Sequence, residues 1–300
     1  MSAPTDKPVS KLTPSRIMLW LGLFLILFVT LFPFWWVLRT AWTTQGQVFQ
    51  NTGSLLPVGF TWDNFLRALG FISTEEALAA GGSGQSLNFF LYLRNSIFFA
   101  TAVTAGQVFF SAMSAYAFAR LRFPFRNLLF TLYISALMVP GIVLLIPNFI
   151  LIRSLGLSDT FVGMIAPFFL MTPFAVFFLR QFFLGINKEV EEAATIDGAG
   201  YGTLFFRIIM PLARAPLATL GIITFIQAWN EYLWPLVVGR DDSVRVLTVA
   251  LGIFRSQQPS GAPDWTGLMA ATTLAIIPVL LVYMLVGRRV LDSIQFTGFK

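Results

Sequence analysis

Long apolar runs recur along this chain and alternate with shorter polar segments. A helix needs about 20 mainly apolar residues to cross the roughly 30 Å of hydrocarbon in a bilayer. Six stretches of the chain meet that requirement, and they are Ile17–Leu38, Ser96–Ala119, Leu128–Ile152, Phe161–Leu179, Leu217–Val238 and Leu268–Val286. The pattern therefore predicts an all-α integral membrane protein with six transmembrane helices.

The first apolar run begins like a secretory signal peptide, because Lys7, Lys11 and Arg16 precede it. The run is longer than the apolar core of a signal peptide, and no small-residue cleavage site follows it. Trp35 and Trp36 lie near its end, where aromatic residues commonly mark the membrane interface. We expect an uncleaved anchor helix rather than a removed signal.

Composition supports the membrane assignment and narrows the chemistry. Of the 300 residues, 56% are hydrophobic and 11% are charged, and the mean hydropathy is +0.76. Soluble domains carry about 25% charged residues, so this surface is expected to contact lipid. The chain contains no Cys and no His, which excludes disulfides, Cys/His metal sites and thiol or histidine catalysis. We therefore expect no enzymatic activity, no cofactor and no bound metal.

The distribution of Lys and Arg predicts the orientation in the membrane. Cytoplasmic loops carry an excess of these residues, and short loops are the most informative. The short loop after the second run contains Arg120, Arg122 and Arg126, which places both termini in the cytoplasm. The same asymmetry accounts for the net charge of +6 without a nucleic-acid partner.

These runs divide the chain into one membrane domain with short appendages. The expected segments are a cytoplasmic tail (1–16), an anchor helix (17–38), an extracytoplasmic segment (39–95), a five-helix core (96–288) and a cytoplasmic tail (289–300). Within the extracytoplasmic segment, the glycines at 81–84 predict a flexible turn, and residues 60–65 predict the start of a short helix.

One ionisable residue lies well inside a predicted span. Glu231 follows Asn230 in the fifth apolar run, where an isolated carboxylate is costly unless it faces a wet cavity or a polar partner. Three roles remain open for it: contact with a solute, pairing with another subunit, and proximity to the outer interface. A proton or ion relay is not expected, since a relay needs a chain of ionisable groups.

The segment between the fourth and fifth runs predicts a short cytoplasmic helix. Asn187 is a good N-cap, acidic residues follow it, and Gly198 or Gly200 can end the helix. Val190, Ala193 and Ala194 fall on one face by helical spacing, and their small size suits a groove on a cytosolic partner. The alternative, a helix lying on the membrane, fits poorly because such helices are usually basic.

This segment resembles the EAA motif of permease subunits of ATP-binding-cassette (ABC) importers, in which Glu-Ala-Ala-x-x-x-Gly precedes Ile-x-Leu-Pro by nine residues. The matching positions here are Glu192, Ala193, Ala194, Gly198, Ile208 and Pro211, with Met210 in place of the usual Leu. Further likeness at Asn95-Ser96, at 115–120 and at 229–235 resembles the carbohydrate-uptake branch, with its maltose- and glycerol-phosphate-type permeases.

The resemblance implies a type I ABC importer permease fold in a bacterial or archaeal inner membrane, with a coupling loop at 184–211. It implies that Glu192 to Gly198 seat in a cleft of a cytosolic ATPase dimer, that Asp197 contacts or caps that joint, and that Pro211 marks the elbow into the fifth span. The implied partners are that ATPase, a second and unlike permease subunit, and an extracytoplasmic solute-binding protein.

Two other classes remain open beside the importer. The chain lacks a Gly-x-x-x-x-Gly-Lys-Ser/Thr phosphate loop, so any ATP hydrolysis belongs to a partner. A secondary transporter or channel would predict inverted repeats or several ionisable groups inside the membrane, which the sequence does not display. A membrane scaffold without a transport role would leave the EAA-like spacing unexplained.

Overall fold

The structure is a computed structural model that describes residues 14–50, 52–79, 87–256 and 264–295, and these ranges contain helices and turns but no strand. In chain order the helices are α1 (Pro14–Ala41), α2 (Asp63–Ala68), α3 (Thr74–Ala79), α4 (Phe89–Arg120), α5 (Arg126–Ser135), α6 (Leu145–Ser154), α7 (Phe161–Phe169), α8 (Pro173–Gly185), α9 (Lys188–Ile196), α10 (Tyr201–Thr203), α11 (Met210–Leu212), α12 (Arg214–Trp229), α13 (Leu233–Val238), α14 (Leu247–Ser256) and α15 (Trp265–Gln295). Short 3₁₀ turns flank the break between α5 and α6, and a π-helix at Leu204–Ile209 joins α10 to α11. The glycines at 81–84 lie outside the described residues.

Among the described residues, three helices are long and apolar enough to cross a membrane without interruption: α1, α4 and the Trp265–Leu285 part of α15. Three further candidates are bent pairs. The bend is 91° between α5 and α6 with their flanking turns, 46° between α7 and α8, and 77° between the Tyr201–Leu212 segment and α12. Counting each pair as one span gives six, in agreement with the predicted six-helix membrane fold.

The bend between α7 and α8 is held by side chains of α4. Pro173 begins α8 and has no backbone N–H to donate to the preceding turn. The N–H of Thr172 donates instead to Ser111 Oγ at 3.3 Å, and Gln107 Nε2 donates to Thr172 Oγ1 at 2.9 Å. The Thr172 hydroxyl also accepts from the N–H of Ala175 at 3.4 Å. A neighbouring helix therefore supplies the partners that lipid cannot.

The fifth predicted span is not one continuous helix. Helix α12 ends at Trp229, and α13 starts at Leu233 after a turn. Asn230 Nδ2 donates to the carbonyl of Ile226 at 2.8 Å, so the side chain satisfies a carbonyl at the end of α12. Hydropathy did not predict this break because apolar residues continue on both sides of the turn.

Helix α4 is the central element of the bundle. It packs against α7, α8, α12 and α14, and it contributes to both apolar cores. Its small residues Ala100, Ala112 and Ala115 and the hydroxyl residue Ser111 are completely buried. Small side chains let membrane helices approach closely, so these residues serve the packing of α4 inside the bundle.

Helix α1 differs from the rest because most of its length is exposed. The most apolar 18 residues of α1 include no buried residue. Arg39, Thr40 and Ala41 at the end of the helix are buried. The helix packs on α15. An apolar surface of this length is suited to lipid contact.

A buried polar network joins the end of α1, helix α2 and the start of α15. Arg67 and Asp264 form a salt bridge of 2.9 Å, with side chains that are 5% and 0% exposed. Asn64 Nδ2 donates to the carbonyls of Ala41 and Thr43, each at 2.8 Å. Asp264 also accepts from the N–H of Gly267 at 2.8 Å, which caps the first turn of α15. Burial lowers the pKa of the Arg67 guanidinium, and the neighbouring Asp264 and Asp63 oppose that shift.

Replacing Arg67 with Met is expected to destabilise the protein by about 3–5 kcal/mol, because it removes the guanidinium that pairs with the buried carboxylate of Asp264. The measurement is the thermal midpoint of the detergent-solubilised protein. Arg153→Met, which removes an exposed arginine, is the matched control and should leave the midpoint unchanged. The double variant Arg67→Met/Asp264→Asn should recover part of the loss. Equal midpoints for Arg67→Met and the control would contradict this account.

Candidate functional site

Helix α9 begins at a side-chain cap. Asn187 Oδ1 accepts from the N–H of Glu189 at 3.1 Å, and Asn187 Nδ2 donates to Glu189 Oε2 at 3.0 Å. Glu189 and Glu191 place negative charge in the first turn, where the helix dipole favours it. The predicted short helix with Asn187 as its N-cap is confirmed, and it is nine residues long.

The same helix ends at Gly198. The N–H of Gly198 donates to the carbonyl of Thr195 at 3.0 Å, and the N–H of Ala199 donates to the carbonyl of Ala194 at 2.9 Å, which together form a Schellman motif. Gly198 has a φ of +85°, a left-handed conformation that a residue without Cβ adopts at low cost. Gly198 rather than Gly200 therefore ends the helix.

The two faces of α9 differ in exposure. Glu191 and Ala194 are partly buried against the membrane domain, and Ala194 packs on the core formed by α4, α8 and the π-helix. The exposed residues are Lys188, Glu189, Val190, Glu192, Ala193, Thr195, Ile196 and Asp197. Ile196 is 86% exposed. The expected shared face of Val190, Ala193 and Ala194 is therefore wrong for Ala194, because the end of α4 and the π-helix contact that side of α9.

A salt bridge joins α9 to the end of α4. Arg120 Nε lies 2.6 Å from Glu191 Oε1, and the two side chains are 5% and 12% exposed. Arg120 Nη2 also donates to the carbonyl of Ile186 at 2.6 Å. The last residue of α4 therefore contacts both the turn before α9 and the buried face of α9.

The chain returns toward the bundle through the π-helix. Leu204, Phe205 and Ile209 are buried there, and Ile208 is partly buried against the same core. Pro211 is exposed, two residues before the 77° bend at Ala213. Ile208 thus anchors the segment, whereas Pro211 lies next to the elbow.

Asn230 and Glu231 lie together in the turn between α12 and α13. Glu231 Oε1 accepts from the N–H of Trp234 at 3.2 Å, and its backbone carbonyl accepts from Thr248 Oγ1 at 2.8 Å. Asn230 is exposed and Glu231 is partly buried. Both side chains therefore satisfy backbone groups at the break, and neither contacts the α9 residues.

A second polar cluster holds the loop after α13. Asp159, at a φ of +56°, accepts from the backbone N–H groups of Arg240 and Asp241 at 2.6 and 2.9 Å. From α4, Asn95 Nδ2 donates to the carbonyls of Ser243 and Arg245, each at 2.9 Å. Hydrogen bonds from the side chain and backbone of Ser243 lower the pKa of Asp241.

Sequence reasoning singled out Asn95 and Ser96 only as a point of likeness, and it gave no role to Asp159, Arg67 or Asp264. Ser96 Oγ accepts from the N–H of Leu247 at 2.7 Å and so caps α14 from another helix. Asp159 directly precedes Thr160, which caps α7 by accepting from the N–H of Gly163. That position alone is a weak sequence signal for a role of Asp159, and only the fold brings it to the loop after α13. In the described ranges, no three Asp or Glu side chains are grouped to hold a metal ion.

Comparison with known proteins adds family evidence to this geometry. Residues 107–294 match the family described as "Binding-protein-dependent transport system inner membrane component". The chain is 38% identical over 274 residues to the sn-glycerol-3-phosphate transport system permease protein UgpE of Yersinia pestis bv. Antiqua (strain Antiqua), covering 91% of this chain and 92% of that protein. It is 34% identical over 283 residues to the protein of the same name from Brucella abortus (strain 2308), covering 94% and 95%.

A solved structure shares the fold. The structure, described as that of a bacterial ABC transporter involved in the import of the acidic polysaccharide alginate, contains a chain that matches with a TM-score of 0.76 at 24% identity. The match covers 95% of this chain and 99% of that one. Permeases of this kind work in general with an ATPase, a second permease subunit and a solute-binding protein. The chain belongs to the family of binding-protein-dependent transport system inner membrane components, as a membrane permease subunit of an ABC importer whose ATP hydrolysis is carried out by a separate subunit.

Proposed function

We propose that this subunit couples to its ATPase through α9 and forms half of a translocation pathway for a carbohydrate or a related polyol, glycerol phosphate included. The observation that carries the coupling assignment is the exposed, doubly capped helix α9, with Glu192 and Ala193 on its exposed surface. A helix fixed at both ends by local hydrogen bonds keeps its shape while its outer surface enters a cleft on a partner.

The residues of the coupling segment divide into two roles. Glu192, Ala193 and Asp197 form the contact surface, because they are exposed and Ala193 leaves room for close backbone approach. Gly198 sets the end of that surface. The remaining three, Ala194, Ile208 and Pro211, position it: Ala194 and Ile208 pack on the core, and Pro211 lies beside the elbow into α12.

The bent helices suit alternating access. When the ATPase dimer closes on ATP, α9 is carried with it, and the bundle rocks from an inward-open to an outward-open state. Solute from the binding protein then enters the cavity, and hydrolysis resets the bundle. Bends at 91°, 46° and 77° supply places where packed helices pivot without losing their cores.

The solute class rests on the relatives. The relatives from Yersinia pestis and Brucella abortus carry names that specify sn-glycerol 3-phosphate transport, and the structural neighbour is described as involved in the import of a polysaccharide. Both solutes carry several hydroxyl groups. We therefore assign a hydroxyl-rich solute to this chain, and a binding protein with a panel of sn-glycerol 3-phosphate, glycerol and disaccharides tests which member of the class stimulates ATP hydrolysis.

We place Asn230 and Glu231 on the solute pathway. The turn that holds them interrupts an apolar segment, and irregular backbone at membrane depth is tolerated where it is buried in protein or lines a cavity. Glu231 uses Oε1 for the N–H of Trp234, and no other described residue donates to Oε2. That oxygen is available to accept a solute hydroxyl.

On this proposal, the subunit lies in the inner membrane with both termini in the cytoplasm. It pairs there with a second permease subunit of different sequence. The basic loop at Arg120, Arg122 and Arg126 and the acidic α9 then share the cytoplasmic side. This arrangement brings α9 to the ATPase and the loop after α13 to the binding protein.

Glu192→Ala is expected to lower the amount of ATPase that co-purifies by about tenfold or more, because hydrogen bonds to charged groups contribute about 1.5–3 kcal/mol. Gly198→Val should weaken binding as well, since a β-branched residue at this φ costs about 1–3 kcal/mol. Pull-down from solubilised membranes measures both effects. Glu75→Ala, which removes an exposed carboxylate on α3, is the control. If Glu192→Ala and Gly198→Val capture as much ATPase as wild-type protein does, the assignment of α9 as the coupling element fails.

Glu231→Gln is expected to raise the KM for uptake by about tenfold, because the charged acceptor for a solute hydroxyl is lost. The amide oxygen of Gln can still accept from the N–H of Trp234, so the thermal midpoint should stay at the wild-type value. Glu231→Ala removes both functions and should lower the midpoint too. Wild-type uptake by Glu231→Gln would limit Glu231 to holding the turn.

A further inference from the structure

We propose that Arg120 is a positioning residue, which fixes the buried face of α9 to the end of α4 through its salt bridge with Glu191. The inference rests on the proposed coupling role of α9 and extends it inward, from the surface that meets the ATPase to the helix that receives the movement.

The geometry supports a specific connection rather than a loose surface pair. Arg120 Nε lies 2.6 Å from Glu191 Oε1, and both side chains are shielded, at 5% and 12% exposed. Arg120 Nη2 binds the carbonyl of Ile186, which directly precedes the N-cap Asn187. One guanidinium thus contacts α9 at two places, before its first turn and within it.

Among the described residues, the other contacts of α9 with the bundle are apolar and involve the π-helix. Its inward residues are Glu191 and Ala194, and Ala194 offers a single methyl group to the core. The caps at Asn187 and Gly198 are local to the helix and do not connect it to another element. The Arg120–Glu191 pair is therefore the polar contact that sets the position of α9 relative to the membrane domain.

The end of α4 also contacts the segments on either side of α9. Tyr116, one turn before Arg120, packs on Phe205 of the π-helix with ring centroids 5.4 Å apart. Arg180 of α8 donates from Nε to the carbonyl of Phe118 at 3.3 Å. Because α4 packs against α7, α8, α12 and α14, a displacement of α9 that passes through Arg120 reaches most of the bundle.

The experiment measures the distance between α9 and α4 in the assembled transporter. The chain has no native cysteine, so Lys188→Cys and Met113→Cys, both exposed positions, accept spin labels without a background. Electron–electron double resonance then gives the distance distribution without nucleotide and after trapping with ATP and vanadate. Wild-type protein should give one narrow distribution that shifts on trapping.

Arg120→Gln and Glu191→Gln should each broaden that distribution and abolish its shift, while the ATPase still co-purifies because Glu192 and Ala193 are intact. Arg120→Lys should restore the narrow distribution, since an ammonium group can still pair with Glu191. Arg122→Gln, which removes an exposed arginine two residues away, should behave as wild type. A retained shift in Arg120→Gln and Glu191→Gln, or no rescue by Arg120→Lys, overturns the proposal. Failure of the coupling assignment itself is distinguishable, because Glu192→Ala would then capture as much ATPase as the wild-type permease.

Discussion

Lipid offers no hydrogen-bond partner to a broken helix, so a break inside this bundle needs polar groups that the protein itself supplies. The bend between α7 and α8 depends on Ser111 and Gln107 of α4, and the turn after α12 depends on Asn230 and Glu231. These groups stabilise shapes that an apolar sequence alone would not adopt. A bundle of bent helices can then change its packing by pivoting at the bends, whereas straight helices would have to slide.

Long-range polar contacts join α2, α4 and α15 to segments that are distant in the sequence. The Arg67–Asp264 pair links α2 to the start of α15. Asn95 links α4 to the loop after α13, and Ser96 links α4 to the first residue of α14. Such pairs contribute little net stability compared with apolar packing, but breaking one is costly because it leaves a buried charge or carbonyl without a partner. They therefore specify how the elements are arranged. Asp159 also holds the loop after α13, which on the proposed orientation lies on the side of the binding protein.

Helix α9 presents different residues on its two faces, as its proposed coupling role requires. Its ends are defined by Asn187 and Gly198, so its length is independent of any neighbour. Its buried face carries a charge matched to Arg120, and its exposed face carries Glu192 and Ala193. Small residues on both faces allow close approach, from the bundle at Ala194 and, in the proposed complex, from the ATPase at Ala193. This division is what a connecting element needs if it transmits movement.

The sequence by itself determined the features that depend on local interactions: the apolar runs long enough to span a bilayer, the N-cap at Asn187, a helix end at Gly198 or Gly200 and the EAA spacing. Only the tertiary structure decided that Ala194 faces inward, that α12 ends at Trp229, and that Arg120 pairs with Glu191. The reason is physical. A helix cap or a hydrophobic run is specified by residues that are close in the sequence. The partner of a buried charge is specified by how the helices pack, because Arg120 and Glu191 are 71 residues apart and Arg67 and Asp264 are 197 residues apart.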